Sequence, residues 1–588
     1  MTARIIRVAG SLVEATPLRA ALYDTAAVGE RRMMAEVIRQ RGDVATLQVY
    51  EDTTGLAVGE PVESLGVSLT AQLGPGLLGS VLDGVGRPLQ RLADVTGDFI
   101  TPGARVDTLD ATSQWAFIAT RRAGEVVRPG DAVGHVVEPS GREHPILVPP
   151  RGGGTIAAIS SATVALADPV GRYDDGSAIT LAHRWPVRVP RPIASRMPTE
   201  RPFITGQRVF DLFFPVAEGG NAVVPGGFGT GKTIIEQSLA KYADTDIVVY
   251  VGCGERGNEM TDVLTEFPTL VDARTGRPVM ERAVLIVNTS NMPVAAREAS
   301  IYLGITVSEY FRDQGNRVVL MIDSASRWAE ALREMAARLQ EMPGEEGYPT
   351  YLANRLGQFF ERAGCVRTLG EPAREGAVTV IGAVSPPGGD FSEPVTQASL
   401  RVAGAMWALD AALAHQRHFP AVDWETSFSL YAPLVSPWLA AHAAADWAEA
   451  RAALMALLQR DRELRDIAGL VGPDALEDAD RLVIDASVLV RETVLRQNAY
   501  HPHDARSSLA KTHGLASAAL AGYRAAAAAL AGGVAYASVD LSGLRHALSQ
   551  LRDAPDEDVT TLAAAAMTAA TALAPETVPV PAAGGDGT

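Results

Sequence analysis

The sequence predicts a multidomain protein with an N-terminal β-barrel, an inserted β domain, a central α/β domain and a C-terminal helical domain. The chain has 588 residues, which is too long for a single hydrophobic core. Apolar and polar residues alternate over Val44–Tyr50, as in a half-buried strand. From 203 to 431, apolar strand patterns alternate with helical patterns, which indicates a parallel sheet. Beyond 432 the apolar residues follow helical spacing.

Changes of pattern, turn residues and prolines set the predicted domain boundaries. A second β region rich in glycine and valine has Pro-Gly-Asp turns, and the five prolines of 186–202 indicate a linker. The predicted segments are an N-terminal β-barrel (1–70), a connecting segment (71–111), an inserted β domain (112–185), a proline-rich linker (186–202), an α/β domain (203–431), a helical domain (432–577) and a flexible tail (578–588).

Composition argues against a nucleic-acid or membrane-surface protein. The chain has 52 basic and 69 acidic residues, so its net charge of −17 disfavours nonspecific electrostatic binding to nucleic acid or to an anionic membrane surface. The two cysteines, Cys253 and Cys365, cannot form a disulfide framework, which favours a reducing cytoplasm. The apolar stretch from Leu515 to Ala537 is mostly alanine and contains Arg524. We therefore predict a soluble helix there and not a membrane span.

A glycine-rich loop provides the first indication of function. Gly226–Thr233 fits the pattern G-x-x-x-x-G-K-[ST], between an apolar strand pattern and a helical one. Backbone N–H groups at such a helix start favour a bound anion. Lys232 can supply a charge to the β- and γ-phosphates, and the Thr233 hydroxyl can hold Mg²⁺. The predicted nucleotide-binding residues are Gly226, Gly227, Phe228, Gly229, Thr230, Gly231, Lys232 and Thr233.

Two further apolar strand patterns end in carboxylates. Arg317–Asp323 ends beside the loop in a parallel sheet, where Asp323 can serve the Mg²⁺ shell through water. Glu255, at the end of the other strand, can orient and polarise an attacking water, and Arg256 can pair with it or with phosphate. The alternative is that Glu255 caps a helix with a structural arginine partner.

Several motifs together resemble the catalytic A (alpha) subunit of V/A-type rotary ATPases. The match runs from the N-terminal barrel to 497–502, which is nearly the whole chain. It implies a RecA-like P-loop fold for the α/β domain and a family "bulge" domain for the inserted β region. The matching strings are G-G-F-G-T-G-K-T (226–233), V-Y-V-G-C-G-E-R-G-N-E-M (249–260), M-I-D-S-A-S-R-W-A-E-A-L-R-E (321–334), E-M-P-G-E-E-G-Y-P (341–349) and V-S-P-P-G-G-D-F-S-E-P-V-T-Q (384–397).

The resemblance also implies residue roles. It makes Lys232, Glu255, Arg256 and Arg327 the catalytic residues, with both arginines near the γ-phosphate and Glu255 polarising the hydrolytic water. Thr233 and Asp323 then serve Mg²⁺. Phe419 and Tyr500 resemble the aromatic walls that hold adenine, although ordinary core or domain-interface packing would also explain them.

The implied activity is hydrolysis or synthesis of ATP, coupled to H⁺ or Na⁺ transport by partner subunits. The resemblance implies a B-type subunit that alternates with this chain in a ring, three copies of each, and supplies an arginine finger. It also implies central rotor stalk and peripheral stalk subunits. The chain would then be cytoplasmic and peripheral to the inner face of the cell membrane, touching the membrane only through partners, with no nucleic acid bound.

Two other functions remain open from the residues alone. A non-catalytic nucleotide-binding subunit of the same assembly would not need the water-polarising Glu255. A hexameric nucleic-acid translocase would need a basic or aromatic single-strand platform, and the barrel sequence has neither a clear aromatic pair nor a basic run.

Overall fold

The computed structural model describes residues 3–97, 99–472 and 475–573, so the predicted flexible tail (578–588) lies outside the described residues. The chain divides into two compact units. The first comprises Met1–Phe203 and Val216–Ala411, and the second comprises Ile204–Pro215 and Ala412–Thr588. The described architecture confirms the predicted fold class, with a barrel, an inserted β domain, an α/β domain and C-terminal helices.

The N-terminal region is a closed barrel in the order β1-β2-β5-β4-β3-β6. Its core consists of small and branched apolar side chains such as Val13, Val37 and Leu47, which are fully buried. The alternation of these residues with polar ones closes the sheet around one core. The strands are β1 (Ala3–Ala9), β2 (Leu12–Thr16), β3 (Asp24–Val28), β4 (Met33–Arg41), β5 (Val44–Val49) and β6 (Pro61–Ser68).

The segment that follows the barrel does more than connect two domains. It contains β7 (Thr70–Leu73), β8 (Val81–Asp83) and helix α1 (Leu89–Thr96). β8 pairs in parallel with residues 285–287 and forms one edge of the large sheet of the α/β domain. The sequence pattern does not reveal β8, because three residues are too few to show a strand period.

The inserted domain contains two four-stranded antiparallel sheets, in the orders β10-β13-β15-β16 and β12-β11-β9-β14. Phe117 and Ile156 are buried in its core. A last strand, β17, returns to pair with β7. The strands are β9 (Gln114–Ala119), β10 (Val126–Val127), β11 (Ala132–Val137), β12 (Glu143–Leu147), β13 (Gly154–Ile159), β14 (Ala162–Ala165), β15 (Pro169–Tyr173), β16 (Ala178–Thr180) and β17 (His183–Pro186).

The α/β domain is built on a mainly parallel sheet in the order β27-β21-β26-β24-β22-β23-β8, with β25 and β18 antiparallel beyond β26. The strands are β18 (Ser195–Arg196), β19 (Pro202–Phe203), β20 (Val216–Ala217), β21 (Asn221–Pro225), β22 (Ile247–Glu255), β23 (Ala283–Thr289), β24 (Arg317–Asp323), β25 (Gly364–Arg367), β26 (Glu375–Val384) and β27 (Ala405–Met406). The helices are α2 (Lys232–Tyr242), α3 (Gly257–Glu266), α4 (Val294–Asp313), α5 (Ala325–Arg338), α6 (Leu352–Phe360), α7 (Pro394–Leu400) and α8 (Ala411–His415).

The parallel strands place their carboxyl ends at one edge of the sheet. β22 is buried along its whole length, and β24 is buried except at its first residue, as expected for strands covered on both faces. The glycine loop follows β21, Glu255 ends β22, Asp323 ends β24 and Ser385 follows β26. This edge therefore collects the side chains of the candidate site.

The second unit is mainly helical. It contains β28 (Phe428–Ser429), α9 (Ala432–His442), α10 (Trp447–Val471), α11 (Asp478–Val490), α12 (Leu509–Ala531), α13 (Ser542–Arg552) and α14 (Val559–Thr571). α12 is the one helix among the described residues that is long and apolar enough to cross a membrane, by length and composition only. Its residues Leu515, Ala519 and Ala526 are buried within this unit, where α12 packs on α14. This packing agrees with the soluble, alanine-rich helix that the sequence predicts.

A buried arginine joins separate segments of this unit. Arg208 is completely buried, and its guanidinium donates to Asp504 Oδ1 at 2.7 Å. The same group donates to the carbonyl oxygens of Val494 and Arg496 at 2.8 and 2.6 Å. One side chain thus satisfies a buried carboxylate and two carbonyl groups.

We predict that Arg208→Met lowers the unfolding free energy of the helical unit by about 3–5 kcal/mol, because the buried Asp504 carboxylate loses its close guanidinium partner and keeps only the Asn498 N–H and the more distant Arg552. Hydrogen exchange of α11 and α12 measures this loss as reduced amide protection. The matched control is Arg460→Met, since Arg460 is 48% exposed and pairs with Glu463 at the surface. That change should cost no more than about 1 kcal/mol. Equal protection in the two variants would contradict the structural role of Arg208.

Candidate active site

The glycine loop leaves an open cradle at the start of α2. Gly229 and Gly231 have φ values of +76° and +94°, a region that favours glycine. A Cβ atom added at Gly227 or Gly229 would meet no atom within 4 Å, whereas one at Gly226 would lie 2.8 Å from Leu409 Cβ. No described side chain caps the helix at Gly231. The first N–H groups of α2 are therefore available to an anion.

Lys232 is held across this cradle. Its Nζ donates to the carbonyl oxygen of Gly226 at 3.0 Å and contacts Ser385 Oγ, which follows β26. Ser385 N–H in turn donates to Ser326 Oγ at 2.9 Å. The lysine charge thus lies among the loop, β26 and the start of α5.

Glu255 is buried at the end of β22, with only 7% of its surface exposed. Ser324 Oγ donates to its Oε1 at 2.9 Å. Burial raises the pKa of Glu255 to about 7, the Asp323 charge adds to the increase, and the Ser324 hydrogen bond and Arg327 oppose it. A carboxylate with this pKa can accept a proton near neutral pH.

Asp323 ends β24, beside Glu255 and Lys232. It is 6% exposed. Burial raises its pKa to about 6, against the opposing effect of the Lys232 charge. Glu259, on the first turn of α3, adds to the increase. Asp323 and Glu255 therefore experience the same local excess of negative charge.

Sequence reasoning missed a third carboxyl group in this cluster, Glu236. It lies one turn after Lys232 on α2 and is 3% exposed. Neither of its carboxyl oxygens has a hydrogen-bond partner among the described residues. Burial raises its pKa well above the ordinary range, Asp323 adds to the increase, and Lys232 opposes it. The four-residue spacing from Lys232, which places both residues on one helix face, is the sequence signal that could have identified it.

The two predicted catalytic arginines differ in placement. Arg327, on α5, pairs with Glu330 at 2.9 Å and lies close enough to lower the pKa values of Glu255 and Asp323. The Arg256 side chain is 59% exposed, and its guanidinium lies 4.9 Å from the ring centre of Phe228. Phe228 itself is 81% exposed.

The helix-cap alternative for Glu255 finds no support in the geometry. Helix α3 begins after Arg256, and no described side chain forms a cap hydrogen bond there. Glu255 instead accepts a hydrogen bond from the Ser324 hydroxyl. The guanidinium of Arg256 lies 4.0 Å from the Glu259 carboxylate and not beside Glu255.

Phe419 and Tyr500 belong to the second unit, whereas the glycine loop belongs to the first. Phe419 is 37% exposed, and its carbonyl oxygen accepts from the Gln497 N–H at 2.8 Å. Tyr500 is 85% exposed, and its N–H donates to Asn498 Oδ1 at 3.0 Å. Neither ring is buried in the core of this unit, and the contact of these rings with adenine stays a prediction.

The donors at the sheet edge suit a magnesium ion that is shared with a phosphate ligand. Among the described residues, no group of three or more His, Cys, Asp and Glu side chains could hold a metal by itself. Thr233 lies in the first turn of α2, and the Asp323 carboxylate shares its negative surroundings with Glu236 and Glu255. Mg²⁺ commonly binds one or two protein oxygens and takes its other ligands from phosphate and water.

Family models match most of the chain. The "ATP synthase alpha/beta family, nucleotide-binding domain" matches residues 206–429, and the beta-barrel domain of the same family matches 5–66. The "ATPsynthase alpha/beta subunit barrel-sandwich domain" matches 106–188. The "C-terminal domain of V and A type ATP synthase" matches 436–534.

Similar proteins support the same assignment. The V-type ATP synthase alpha chain of Anaeromyxobacter dehalogenans is 54% identical and aligns over 96% of this chain and 97% of its own length. An A-type ATP synthase subunit of Methanospirillum hungatei is 53% identical over 87% of this chain and 88% of its own. The ATPase EscN of the enteropathogenic E. coli type III secretion system shares the fold, with a TM-score of 0.65, 22% identity and coverage of 88% of this chain and 100% of EscN. This chain belongs to the ATP synthase alpha/beta family and, within it, to the alpha chains of V- and A-type ATP synthases.

Proposed function

We propose that this chain is the catalytic subunit of a V/A-type rotary ATPase, in which ATP turnover drives or uses ion transport through partner subunits. The main support is the position of Glu255. It is a buried carboxyl group whose pKa is raised to about 7, at the strand end beside the phosphate loop. A site that only stores nucleotide does not need a proton acceptor at this place.

The loop binds and orients the triphosphate of ATP. N–H groups of Gly226–Thr233 surround the phosphates, and Lys232 exchanges its contact with the Gly226 carbonyl for the β- and γ-phosphates. This exchange is favourable, because a carbonyl oxygen is a weaker partner for an ammonium group than a phosphate is.

Thr233 and Asp323 would hold Mg²⁺, which when bound neutralises charge on the phosphates. Glu236, Glu255 and Asp323 are three buried carboxyl groups with raised pKa values, and a bound cation would favour their ionised forms.

Glu255 accepts a proton from the water that attacks the γ-phosphate. The Ser324 hydroxyl fixes the carboxylate by binding its Oε1, which leaves Oε2 for water. Arg327 stabilises the ionised form of Glu255 from α5. Arg256 needs to leave the Phe228 ring to contact the γ-phosphate, and its exposure permits that movement.

The other candidate functions have less support. Lys232, Thr233 and Glu255 are all present, so the chain has catalytic groups that a non-catalytic subunit would not need. A nucleic-acid translocase would need a positively charged strand path, and the net charge of −17 disfavours one. The similar ATP synthase chains also favour the rotary assembly.

As a V/A-type ATP synthase subunit, the chain works with partner subunits in a membrane-associated complex. We propose a ring in which three copies alternate with three B-type subunits, together with central and peripheral stalk subunits. The chain would lie at the cytoplasmic face of the membrane and reach the bilayer only through these partners.

We predict that Glu255→Gln lowers turnover of the assembled complex by roughly 10²–10⁴-fold, because the amide cannot accept a proton. Nucleotide affinity, measured by calorimetry, should stay nearly unchanged. In the parent enzyme, kcat/KM should fall as the pH drops through about 7, since protonation of Glu255 removes the base.

Asp262→Asn is the matched control for this experiment. Asp262 is an exposed carboxylate on the same helix, α3, and its loss should change turnover by no more than a few-fold. Near-normal turnover in Glu255→Gln, or equal losses in both variants, would contradict the assignment of Glu255.

We also predict that the isolated chain hydrolyses ATP poorly and gains activity when a B-type partner is added. Arg327 is engaged by Glu330, and the family resemblance implies that an arginine finger of the neighbouring subunit provides a further cation for the γ-phosphate. A cation supplied in this way contributes about 10³–10⁵-fold in rate. Steady-state hydrolysis before and after reconstitution measures the gain. Full activity of the monomeric chain would rule out a shared site.

A further inference from the structure

A second charged cavity lies in the first unit, formed by residues outside the phosphate loop. Its volume is about 460 Å³. It is bounded by the proline-rich linker, α4 and the α6 region, and two carboxylates, Glu309 and Glu361, lie on its wall. A concave surface dominated by one sign of charge concentrates ions of the opposite sign. Six arginines line it: Arg188, Arg191, Arg196, Arg312, Arg355 and Arg362.

The buried carboxylates near the cavity are already occupied by some of these arginines. The Glu309 carboxylate accepts two hydrogen bonds from the Arg362 guanidinium, at 2.9 and 2.7 Å. It accepts a third from the backbone N–H of Arg191 at 3.0 Å. Asp313 is shared by Arg191 and Arg312, at 2.6 and 2.7 Å. These carboxylates have little capacity to bind the remaining cations.

Arg188 is neutralised in a different way. It lies between Glu36 of the barrel and Glu298 of α4, at 2.8 and 2.6 Å. Its side chain is 15% exposed, and of these three residues only Arg188 lines the cavity. The charge of Arg188 is therefore fully engaged by carboxylates outside the cavity.

The two remaining arginines donate to uncharged acceptors. Arg196 donates to the carbonyl oxygens of Glu361 and Ala363 at 2.6 and 3.0 Å. Arg355 donates to the Tyr23 hydroxyl at 2.8 Å. Within the described ranges, neither has a carboxylate at ion-pair distance. Since each guanidinium carries five N–H donors, both retain donors for a further acceptor.

We propose that this cavity binds a small multivalent oxyanion of the phosphate class, with Arg196 and Arg355 as its principal ligands. Guanidinium groups match the spacing of phosphate oxygens and form charge-assisted hydrogen bonds with them. A bound phosphate would supply the negative charge that the occupied carboxylates cannot. It would also join the linker, through Arg196, to helix α6, through Arg355.

The free anion fits this cavity better than a nucleotide does. Tyr302 is the one aromatic residue among the described residues that line the cavity, and it is buried, with Arg188 4.8 Å from its ring centre. A purine base would find little aromatic surface there. We therefore assign the site to inorganic phosphate.

The test is isothermal titration calorimetry of the full chain with inorganic phosphate at low ionic strength. Every protein in the test carries Lys232→Ala, which weakens phosphate binding at the glycine loop, so that binding in the cavity is measured by itself. We expect one saturable site whose affinity falls at least about tenfold when Arg196→Gln and Arg355→Gln are combined, because each removes a charge-assisted hydrogen bond. Each single variant should show part of the loss, which keeps the test valid if the double variant folds poorly.

The control is Arg172→Gln, an exposed arginine of the inserted domain that does not line the cavity, and its phosphate affinity should equal that of the parent. Absence of saturable binding, or equal affinity in the arginine variants, would overturn the proposal. In a second arm with ADP, arginine-dependent binding tenfold tighter than that of phosphate would overturn the assignment to the free anion.

Discussion

The buried negative charge at one sheet edge is the constraint on which the site depends. Glu236, Glu255 and Asp323 are all nearly inaccessible to solvent, and Lys232 lies among them. An ionised carboxylate is destabilised when it is buried without enough positive charge nearby. The pKa values of these three carboxyl groups are raised for that reason. Magnesium and its nucleotide would relieve this imbalance, so ligand binding and the electrostatics of the site are directly linked.

The parallel sheet makes such an arrangement possible. β22 and β24 are covered on both faces and cannot shift without disturbing the core, so the residues at their ends keep fixed positions. Lys232 and Glu236 are fixed by the same helix, α2, which follows the glycine loop directly. The chemistry thus depends on elements that are far apart in sequence and adjacent at one edge.

Local backbone rules explain what the sequence could predict. The loop at 226–233 has a pattern typical of a phosphate-binding turn between a strand and a helix, and strand-end acids such as Asp323 are expected where buried parallel strands end. Glu236 needed a further step, because its four-residue spacing from Lys232 shows that the two residues share a helix face but not that this face is buried. The edge strand β8 is too short to show a period. The arginine cavity joins the linker, α4 and α6, a proximity that only tertiary structure creates.

Infrared titration of Glu255 tests the central claim most directly. Burial poises the pKa of this carboxyl group near neutral pH before any ligand binds. In the nucleotide-free chain, the protonated-carboxyl band that Glu255→Gln abolishes should titrate with a midpoint near pH 7. A band that has already disappeared at pH 5 would show an ordinary, solvated carboxylate and would contradict the proposed role of Glu255 as the base.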